Sequence, residues 1–156
     1  MRSAGVLKAL WIRDRIRPPI RHGREPQAVS SADRYRPGVC NIGVSERRRR
    51  YRYAAAAFVA AVAYFVAVVV SDAPAVLLVG LFVPLSLGAE WTLQARRSFC
   101  AVLALTGGYS FDDTSGEVTR PADRRADAVT GLLFACLGIV AGAVGTAIAY
   151  ATVALL

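Results

Sequence analysis

Three long apolar runs, almost free of charge, constrain the fold of this chain more than any other feature of its sequence. They extend over residues 54–70, 75–91 and 129–155. An apolar run of about 18 residues or more is typical of a helix that crosses a bilayer, where a helix satisfies its own backbone hydrogen bonds. The sequence therefore predicts an all-α integral membrane protein, in which residues 39–156 form one domain with three transmembrane helices.

Turn-forming residues divide the first two runs. Ser71, Asp72 and Pro74 lie between them and predict a tight turn without Lys or Arg. Pro84 lies inside the second run and predicts a kink there, because proline removes one backbone hydrogen bond and its ring conflicts with the preceding turn.

The connection between the second and third runs is longer. Residues 98–109 are apolar but too few to cross a bilayer, so we expect them to continue the second helix at the membrane surface as far as Gly107. Residues 109–119 are rich in Gly, Ser and Asp and predict a loop. Pro121 suits the first turn of the third helix, and Asp123 complements the positive end of that helix.

Arginines mark one end of every predicted span. Arg96 and Arg97 follow the second run, Arg124 and Arg125 precede the third, and the opposite ends carry no Lys or Arg. Basic residues stay preferentially on the cytoplasmic side. The pattern predicts a multipass protein of the cytoplasmic (plasma) membrane, with its N-terminus inside and its C-terminus outside. Anionic lipid headgroups are the expected contacts of the arginines before the first run, which are Arg47, Arg48, Arg49, Arg50 and Arg52.

Residues 1–38 differ in composition from the rest of the chain. They carry eight Arg and one Lys against three acids, and four prolines interrupt them. Such a segment buries too little apolar surface to fold, so we expect a disordered basic tail. The alternative is an upstream extension from a misassigned start codon, with Val29 or Val39 as the genuine first residue. Because the excess charge lies in this tail and beside a membrane helix, the predicted partner is lipid and not nucleic acid.

A stripe of small residues follows one face of the third run. In lipid, helices associate where small residues let their backbones approach closely. The first run has a shorter stripe, so we expect the two stripes to pack together within the chain. The alternative is a homodimer through Gly138 and Gly142. The third-run stripe consists of Gly131, Ala135, Gly138, Gly142, Gly145, Ala149 and Thr152, and the first-run stripe of Ala56, Ala60, Ala63 and Ala67.

Two of the three cysteines lie at the predicted cytoplasmic surface. Cys40 precedes the arginine-rich segment and Cys100 follows the second run, an arrangement compatible with a dithiol or part of a metal site. We expect two unrelated thiols instead, because no C-x-x-C motif occurs and the single histidine, His22, lies in the tail. Cys136, within the third run, should behave as a small apolar residue. The sequence predicts no metal and no cofactor.

Glu90 is the acid placed deepest in the apolar runs. A carboxylate inside a membrane often belongs to a proton or ion pathway. Arg96 and Arg97 follow it within about two helical turns. We therefore expect a carboxylate at the membrane interface that pairs with one of these arginines.

Three short motifs carry a resemblance to a known group of proteins. Cys40–Gly43, with the sequence Cys-Asn-Ile-Gly, and Glu46–Arg50 precede the first run, and Phe99-Cys100 follows the second. The pattern resembles small multipass membrane proteins of archaea and bacteria, in which a Cys-Asn-x-Gly and Arg-rich head precedes the first helix and a Phe-Cys follows the second. The resemblance covers about residues 39–128 and implies a multipass membrane protein without implying an activity.

No motif of enzymatic chemistry occurs in the sequence. Phosphate-binding glycine loops, H-E-x-x-H and G-x-S-x-G are all absent. The sequence therefore favours a non-enzymatic structural or accessory membrane subunit, whose basic cytoplasmic face contacts lipid, a protein partner or a second copy of the chain. Two other hypotheses stay open. One is a thiol redox or metal-handling protein that uses Cys40 and Cys100, and the other is a small transporter or proton-pathway component that uses Glu90.

Cysteine labelling tests the predicted orientation. A cysteine introduced at Ser71 should react with a membrane-impermeant thiol reagent added outside the cell, because the turn after the first run should lie outside. A cysteine introduced at Ser115 should react only after the cells are permeabilised. The opposite pattern of labelling contradicts the orientation.

Overall fold

The computed structural model describes residues 34–155, which form long helices and one small hairpin. The predicted tail lies outside the described residues except for residues 34–38. The elements in chain order are α1 (Val44–Val70), a 3-10 helix (Ala75–Leu81), α2 (Phe82–Arg97), α3 (Ala101–Thr106), β1 (Gly108–Phe111), β2 (Thr114–Glu117) and α4 (Pro121–Ala154).

Three helical stretches are long and apolar enough to cross a membrane, as the sequence predicts. They are Val44–Val70, Ala75–Arg97 and Pro121–Ala154. Each extends past its predicted apolar run at the arginine-bearing end. Pro121 is the first residue of α4 and Asp123 lies in its first turn. The sequence predicts both positions.

The proline of the second run lies close to a change of helix type. Residues Ala75–Leu81 form a 3-10 helix, and the α-helix begins at Phe82. Pro84 therefore lies in the first turn of α2, where its missing N–H and fixed φ are tolerated. The sequence predicts a kink within one continuous α-helix, and the structure has a change from 3-10 helix to α-helix instead.

Helix α1 packs against the second span by placing aromatic rings over glycines. A Cβ atom at Gly88 would lie 2.8 Å from the ring of Phe58, and one at Gly80 would lie 2.6 Å from the hydroxyl of Tyr64. The Tyr64 hydroxyl also donates a hydrogen bond of 2.8 Å to the carbonyl of Leu77. The two glycines thus provide the space that the rings of α1 fill.

Helix α4 approaches α2 through glycines of the predicted stripe. A Cβ atom at Gly142 would lie 2.8 Å from the backbone nitrogen of Ser86 and 2.9 Å from the carbonyl oxygen of Phe82. One at Gly138 would lie 2.8 Å from Cβ of Glu90. A side chain would not fit at either position, so glycine is what allows the two backbones to come this close.

The rest of the stripe also lies against the second span or the segment after it. Gly131 lies beside Ala104 of α3, and Gly145 lies beside the side chain of Leu85 in α2. Ala149 packs against an apolar cluster at the opposite end of the helices. That cluster has four buried residues, Ala61, Val68, Leu78 and Leu81. Ala135 is half-buried and Thr152 is exposed.

The prediction that the stripe of α4 packs against that of the first span is wrong. The stripe packs against α2, and the small residues predicted on α1 are exposed, namely Ala56, Ala60, Ala63 and Ala67. The alanines that α1 buries are Ala54, Ala57 and Ala61. Both sets recur at helical spacing, and spacing does not decide which face meets a neighbour. The contacts of Phe58 with α2 and of Tyr64 with the 3-10 helix orient α1 instead.

The segment after α2 is not the predicted continuation of that helix. Ser98 adopts a left-handed conformation with φ of 53° and ends α2. The chain then turns through Cys100 into the short helix α3, which ends at Gly107, where φ is 76°. The predicted loop that follows is also different, because β1 and β2 pair there as an antiparallel hairpin.

Residues 34–43 and 98–120 pack together at the arginine-bearing end of the helices, and we call them the cap. Ile42 pairs with Ser110 as in a parallel ladder, in which the Gly43 amide donates to the Ser110 carbonyl at 2.8 Å. Phe99 is fully buried and meets Phe134 of α4 edge to face, with ring centroids 5.5 Å apart. The cap is therefore attached to α4 through apolar contacts.

The contact between α2 and α4 predicts different effects for the same substitution at two glycines. Gly142→Ala should destabilise the protein by about 1–3 kcal/mol, because the methyl group meets the backbone of α2. Gly145→Ala is the matched control, since its methyl group meets only the end of the Leu85 side chain. It should be neutral or slightly stabilising, because alanine favours the helix over glycine. Denaturation in detergent, followed by helix content, measures both, and equal effects contradict the contact.

Candidate functional site

The cap and the ends of α1 and α2 enclose a cleft of about 510 Å³. Part of its wall comes from the chain before α1, part from the end of α2, and part from Phe111 and Asp112 of the hairpin. Four guanidinium groups against one carboxylate make it strongly positive. We call it the arginine cleft, and its arginines are Arg34, Arg36, Arg47 and Arg97.

Two of these arginines are held by the protein. Arg34 forms an ion pair with Asp113, and its guanidinium carbon lies 5.4 Å from the ring centroid of Phe111. Arg47 donates through Nε to the carbonyl of Ala95 at 3.2 Å. Both side chains are therefore oriented by contacts before any ligand arrives.

The other two arginines face solvent. Arg36 and Arg97 are exposed, and neither forms an ion pair within residues 34–155. A guanidinium group has five N–H donors in a planar fork that matches the oxygens of a phosphate or carboxylate. Arg36 and Arg97 can therefore present these donors to an anion in the cleft.

Asp112 lies in the cleft wall and caps α1. Its carboxylate accepts hydrogen bonds from the amides of Val44 at 3.2 Å and Ser45 at 2.9 Å, and from the Ser45 hydroxyl. The hydroxyl and amide of Ser45 hold the pKa of Asp112 below its ordinary value. Gly43 lets the hairpin come this close, because a Cβ atom there would lie 2.9 Å from the Asp112 nitrogen.

The two cysteines predicted at this surface occupy different environments, and both are free thiols. Cys40 is half-buried and lines the arginine cleft. Cys100 is 1% exposed, and its sulfur accepts hydrogen bonds from Arg50 at 2.8 Å and from the Leu103 amide at 3.4 Å. The sulfur of Cys100 thus serves as a hydrogen-bond acceptor inside the protein.

Asn41 joins the chain around the two cysteines. Its side-chain nitrogen donates to the Cys100 carbonyl at 3.0 Å, and its side-chain oxygen accepts from the Cys100 amide at 2.6 Å. Asn41 is fully buried, and this pair of bonds satisfies both ends of its amide group. The Cys-Asn and Phe-Cys motifs therefore meet through an amide side chain and the backbone.

Arg50 points into the protein rather than towards lipid. It donates to Gln94 at 2.9 Å, and Gln94 donates to Glu90 at 2.8 Å. The prediction that Glu90 pairs with Arg96 or Arg97 is wrong, because both arginines are exposed and form no ion pair with it. Gln94 lies one helical turn after Glu90 on the same face, whereas Arg97 lies about two turns away and Arg96 lies on a different face of α2.

The remaining arginines before the first span lie at the surface of α1. Arg49 donates to the Tyr53 hydroxyl at 2.8 Å and pairs with Glu46 at 3.2 Å. Arg48 and Arg52 are exposed and lie one helical turn apart. Of the five arginines predicted to contact lipid, these two are the most available to headgroups in the part of the chain that the structure describes.

Asp127 attaches the chain around Arg36 to α4. It is fully buried and accepts hydrogen bonds of 2.6 Å from both the Tyr35 hydroxyl and the Gly38 amide. Burial of the phenol and its bond to the Asp127 carboxylate raise the pKa of Tyr35 well above its ordinary value. Thr130 donates to the Gly38 carbonyl at 3.0 Å. The predicted boundary at residue 38 therefore falls inside a segment that contacts α4.

Sequence reasoning missed three polar residues that position the cleft, which are Asn41, Asp112 and Asp127. Asp127 did carry a signal, because it precedes Gly131 by four residues and thus extends the face that α4 buries. Asn41 lies inside the Cys-Asn-x-Gly motif, but its partner is distant in sequence. Asp112 resembled a solvated loop residue, since nothing local shows that its turn reaches α1.

Anion binding is the chemistry that this arrangement supports. Paired guanidinium groups bind phosphate through short, charge-assisted hydrogen bonds. Among residues 34–155, no group of three or more His, Cys, Asp or Glu side chains is placed to hold a metal ion. Comparisons with protein-family models, curated proteins and solved structures found no match.

The lowered pKa of Asp112 predicts a pH-dependent contribution to stability. A carboxylate whose pKa is lower in the folded state stabilises the fold above the unfolded value of about 3.9, and this contribution is lost as the pH falls through the folded value. Asp112→Asn should therefore reduce resistance to denaturant at neutral pH, and the difference from the original protein should vanish in acid. Helix content against denaturant at several pH values measures this.

Asp113→Asn is the control for this measurement, because it removes a carboxylate from the same turn. Its ion pair with Arg34 is exposed and should contribute little. A difference between Asp112→Asn and the original protein that does not shrink as the pH falls from neutral into the acid range contradicts the assignment, since protonation of the carboxylate should remove it.

Proposed function

We propose that the protein is a non-enzymatic accessory protein of the cytoplasmic membrane that binds anionic lipid headgroups through its arginine-bearing surface. One observation carries the proposal: exposed arginines from all three long helices lie at the same end, beside the cap. The opposite ends of these helices carry no Lys or Arg. The exposed arginines are Arg48, Arg52, Arg96, Arg97, Arg124 and Arg125.

Electrostatics support lipid as the partner of this surface. Each basic residue near an anionic membrane surface contributes about 1 kcal/mol of attraction. Long arginine side chains reach headgroups while their stems stay beside apolar neighbours. Retention of basic residues on the cytoplasmic side orients the cap inwards. The anionic phospholipids of the inner leaflet are therefore the proposed ligands.

The sides of the helices support the same placement. Large apolar side chains cover the outward faces of α1 and α4, and residues such as Val59, Val62, Leu132 and Ile148 are at least 60% exposed. Water would make this exposure costly at about 25 cal/mol per Å² of apolar surface, whereas lipid tails would cover it. The bilayer is thus the proposed surroundings of the three long helices.

The two other hypotheses receive less support from the geometry. Cys100 is buried and its sulfur already accepts two hydrogen bonds, whereas Cys40 faces the arginine cleft. Glu90 accepts a hydrogen bond from Gln94, and its Cβ lies against Gly138. These contacts favour structural roles for Cys100 and Glu90.

The lipid composition around the protein tests the proposal. Full-length protein extracted with its surrounding lipid from bilayers of mixed phosphatidylcholine and phosphatidylglycerol should be enriched in phosphatidylglycerol. Arg48→Gln together with Arg52→Gln should reduce that enrichment by up to roughly thirtyfold, because two surface charges are worth about 2 kcal/mol and each change of about 1.4 kcal/mol is a factor of ten. Mass spectrometry of the retained lipids measures the ratio.

Arg48→Lys together with Arg52→Lys is the matched control for this experiment. It keeps both charges at the same positions, so the enrichment should persist and should fall with added salt. Equal lipid ratios for the original protein and the Gln variant contradict the proposed function. Loss of enrichment in the Lys variant contradicts its electrostatic basis.

A further inference from the structure

We propose that the arginine cleft is a specific site for the phosphate of one anionic glycerophospholipid, bound by Arg36, Arg47 and Arg97. This inference rests on the proposed function and deepens it. The proposed function requires only a general attraction between a basic surface and anionic lipid. The inference assigns a single headgroup to a single cleft, with named donors.

The form of the cleft suits one headgroup. Its volume of about 510 Å³ falls within the range of about 300–1,000 Å³ that is usual for ligand sites. Its walls come from the cap and from two long helices, whose contacts hold Arg34 and Arg47 in place. Basic pockets between membrane helices on the cytoplasmic side are a recurrent form of headgroup site.

The three arginines offer a phosphate more donors than they use within the protein. Arg36 and Arg97 line the cleft, are exposed, and form no ion pair within the described residues. Arg47 uses Nε for the Ala95 carbonyl, which leaves both of its terminal nitrogens to donate. Arg34 is different, because its ion pair with Asp113 makes it part of the wall.

The position of the cleft favours a lipid over a soluble phosphate. Arg47 precedes the apolar run that begins at Ala54 by about 10 Å along the helix, and the headgroup layer is about 5–8 Å deep on each side of the hydrocarbon core, so a long arginine side chain at this position reaches that layer. Tyr53 and Trp91 lie side by side next to that run, with ring centroids 5.4 Å apart, and such aromatic residues are typical of the membrane interface. The cleft thus opens at the level of lipid phosphates.

The lining of the cleft favours a lipid for a second reason. Val39 and Val44 both line it and are 58% and 52% exposed. A free phosphate ion would leave these apolar side chains in water. The glycerol backbone and the first carbons of a lipid would cover them while the phosphate meets the arginines.

Cys40 provides a direct reporter of occupancy because its side chain lines the same cleft. Cys100 is buried, and Cys136, which is exposed on α4, is removed by Cys136→Ala. The full-length protein is placed in nanodiscs of phosphatidylcholine alone or with added phosphatidylglycerol. The rate at which N-ethylmaleimide modifies Cys40 is then followed by mass spectrometry. The reagent is uncharged, so the membrane surface does not attract it.

Phosphatidylglycerol should slow the modification of Cys40, because only the unoccupied cleft reacts. At a lipid concentration about ten times the dissociation constant, the rate should fall roughly tenfold. In the double variant Arg36→Gln with Arg97→Gln, Cys40 should react at the same rate in both kinds of disc. Neither side chain forms an ion pair within the described residues, so the fold should persist. Arg120→Gln is the control and should retain the slowing, because Arg120 lies outside the cleft and its exposed ion pair with Asp123 contributes little to stability.

The remaining outcomes separate this inference from the proposed function. If phosphatidylglycerol is enriched around the protein but does not slow the modification of Cys40, the cleft is not a lipid site, and the proposed function still stands. Slowing that persists in Arg36→Gln with Arg97→Gln also overturns the cleft as a lipid site. If inorganic phosphate or glycerol 3-phosphate slows the modification of Cys40 equally in discs of phosphatidylcholine, the cleft binds a soluble phosphate and not a lipid. Slowing without enrichment supports the cleft and contradicts the wider surface interaction.

Discussion

The close approach of α2 and α4 at Gly138 and Gly142 is the contact on which the rest of the structure depends. The backbone atoms of Ser86 occupy the space that a side chain at Gly142 would need. With α2 held against α4 in this way, Gly88 of α2 and Gly80 of the preceding 3-10 helix receive the rings of α1. The second span thus lies against both neighbours, and the arginine-bearing ends of all three helices meet at one level.

Polar side chains complete the structure where the helices meet the cap. Beside its apolar contacts with α4, the cap is held by long-range hydrogen bonds. Asn41 binds the backbone of Cys100, Asp112 caps α1, and Asp127 attaches the chain around Tyr35. Asn41 and Asp127 are fully buried, and a buried polar group without a partner costs about 1–3 kcal/mol, so their hydrogen bonds strongly disfavour arrangements in which the partners separate. The arginine cleft lies among these three attachments and owes its shape to them.

Several features could be predicted from the sequence because they depend on local properties. The three long helices follow from apolar length, and the start of α4 follows from Pro121 and Asp123. The partners of individual residues could not be predicted in this way. Glu90 binds Gln94 and not an arginine, and Arg50 turns inwards to Gln94 and Cys100. The left-handed turn at Ser98, which ends α2, has no local signature because serine rarely adopts it.

What the sequence by itself determined is therefore the number of long helices, their order, and the concentration of arginines at one end. These properties depend on hydropathy and backbone hydrogen bonding, which act over a few neighbouring residues. Only the tertiary structure decided which small-residue face of α1 is buried, and that Arg36, Arg47 and Arg97 line one cleft. Those outcomes depend on contacts between residues far apart in the chain. Equally spaced faces are alike in sequence and become different only when a neighbouring helix packs against one of them.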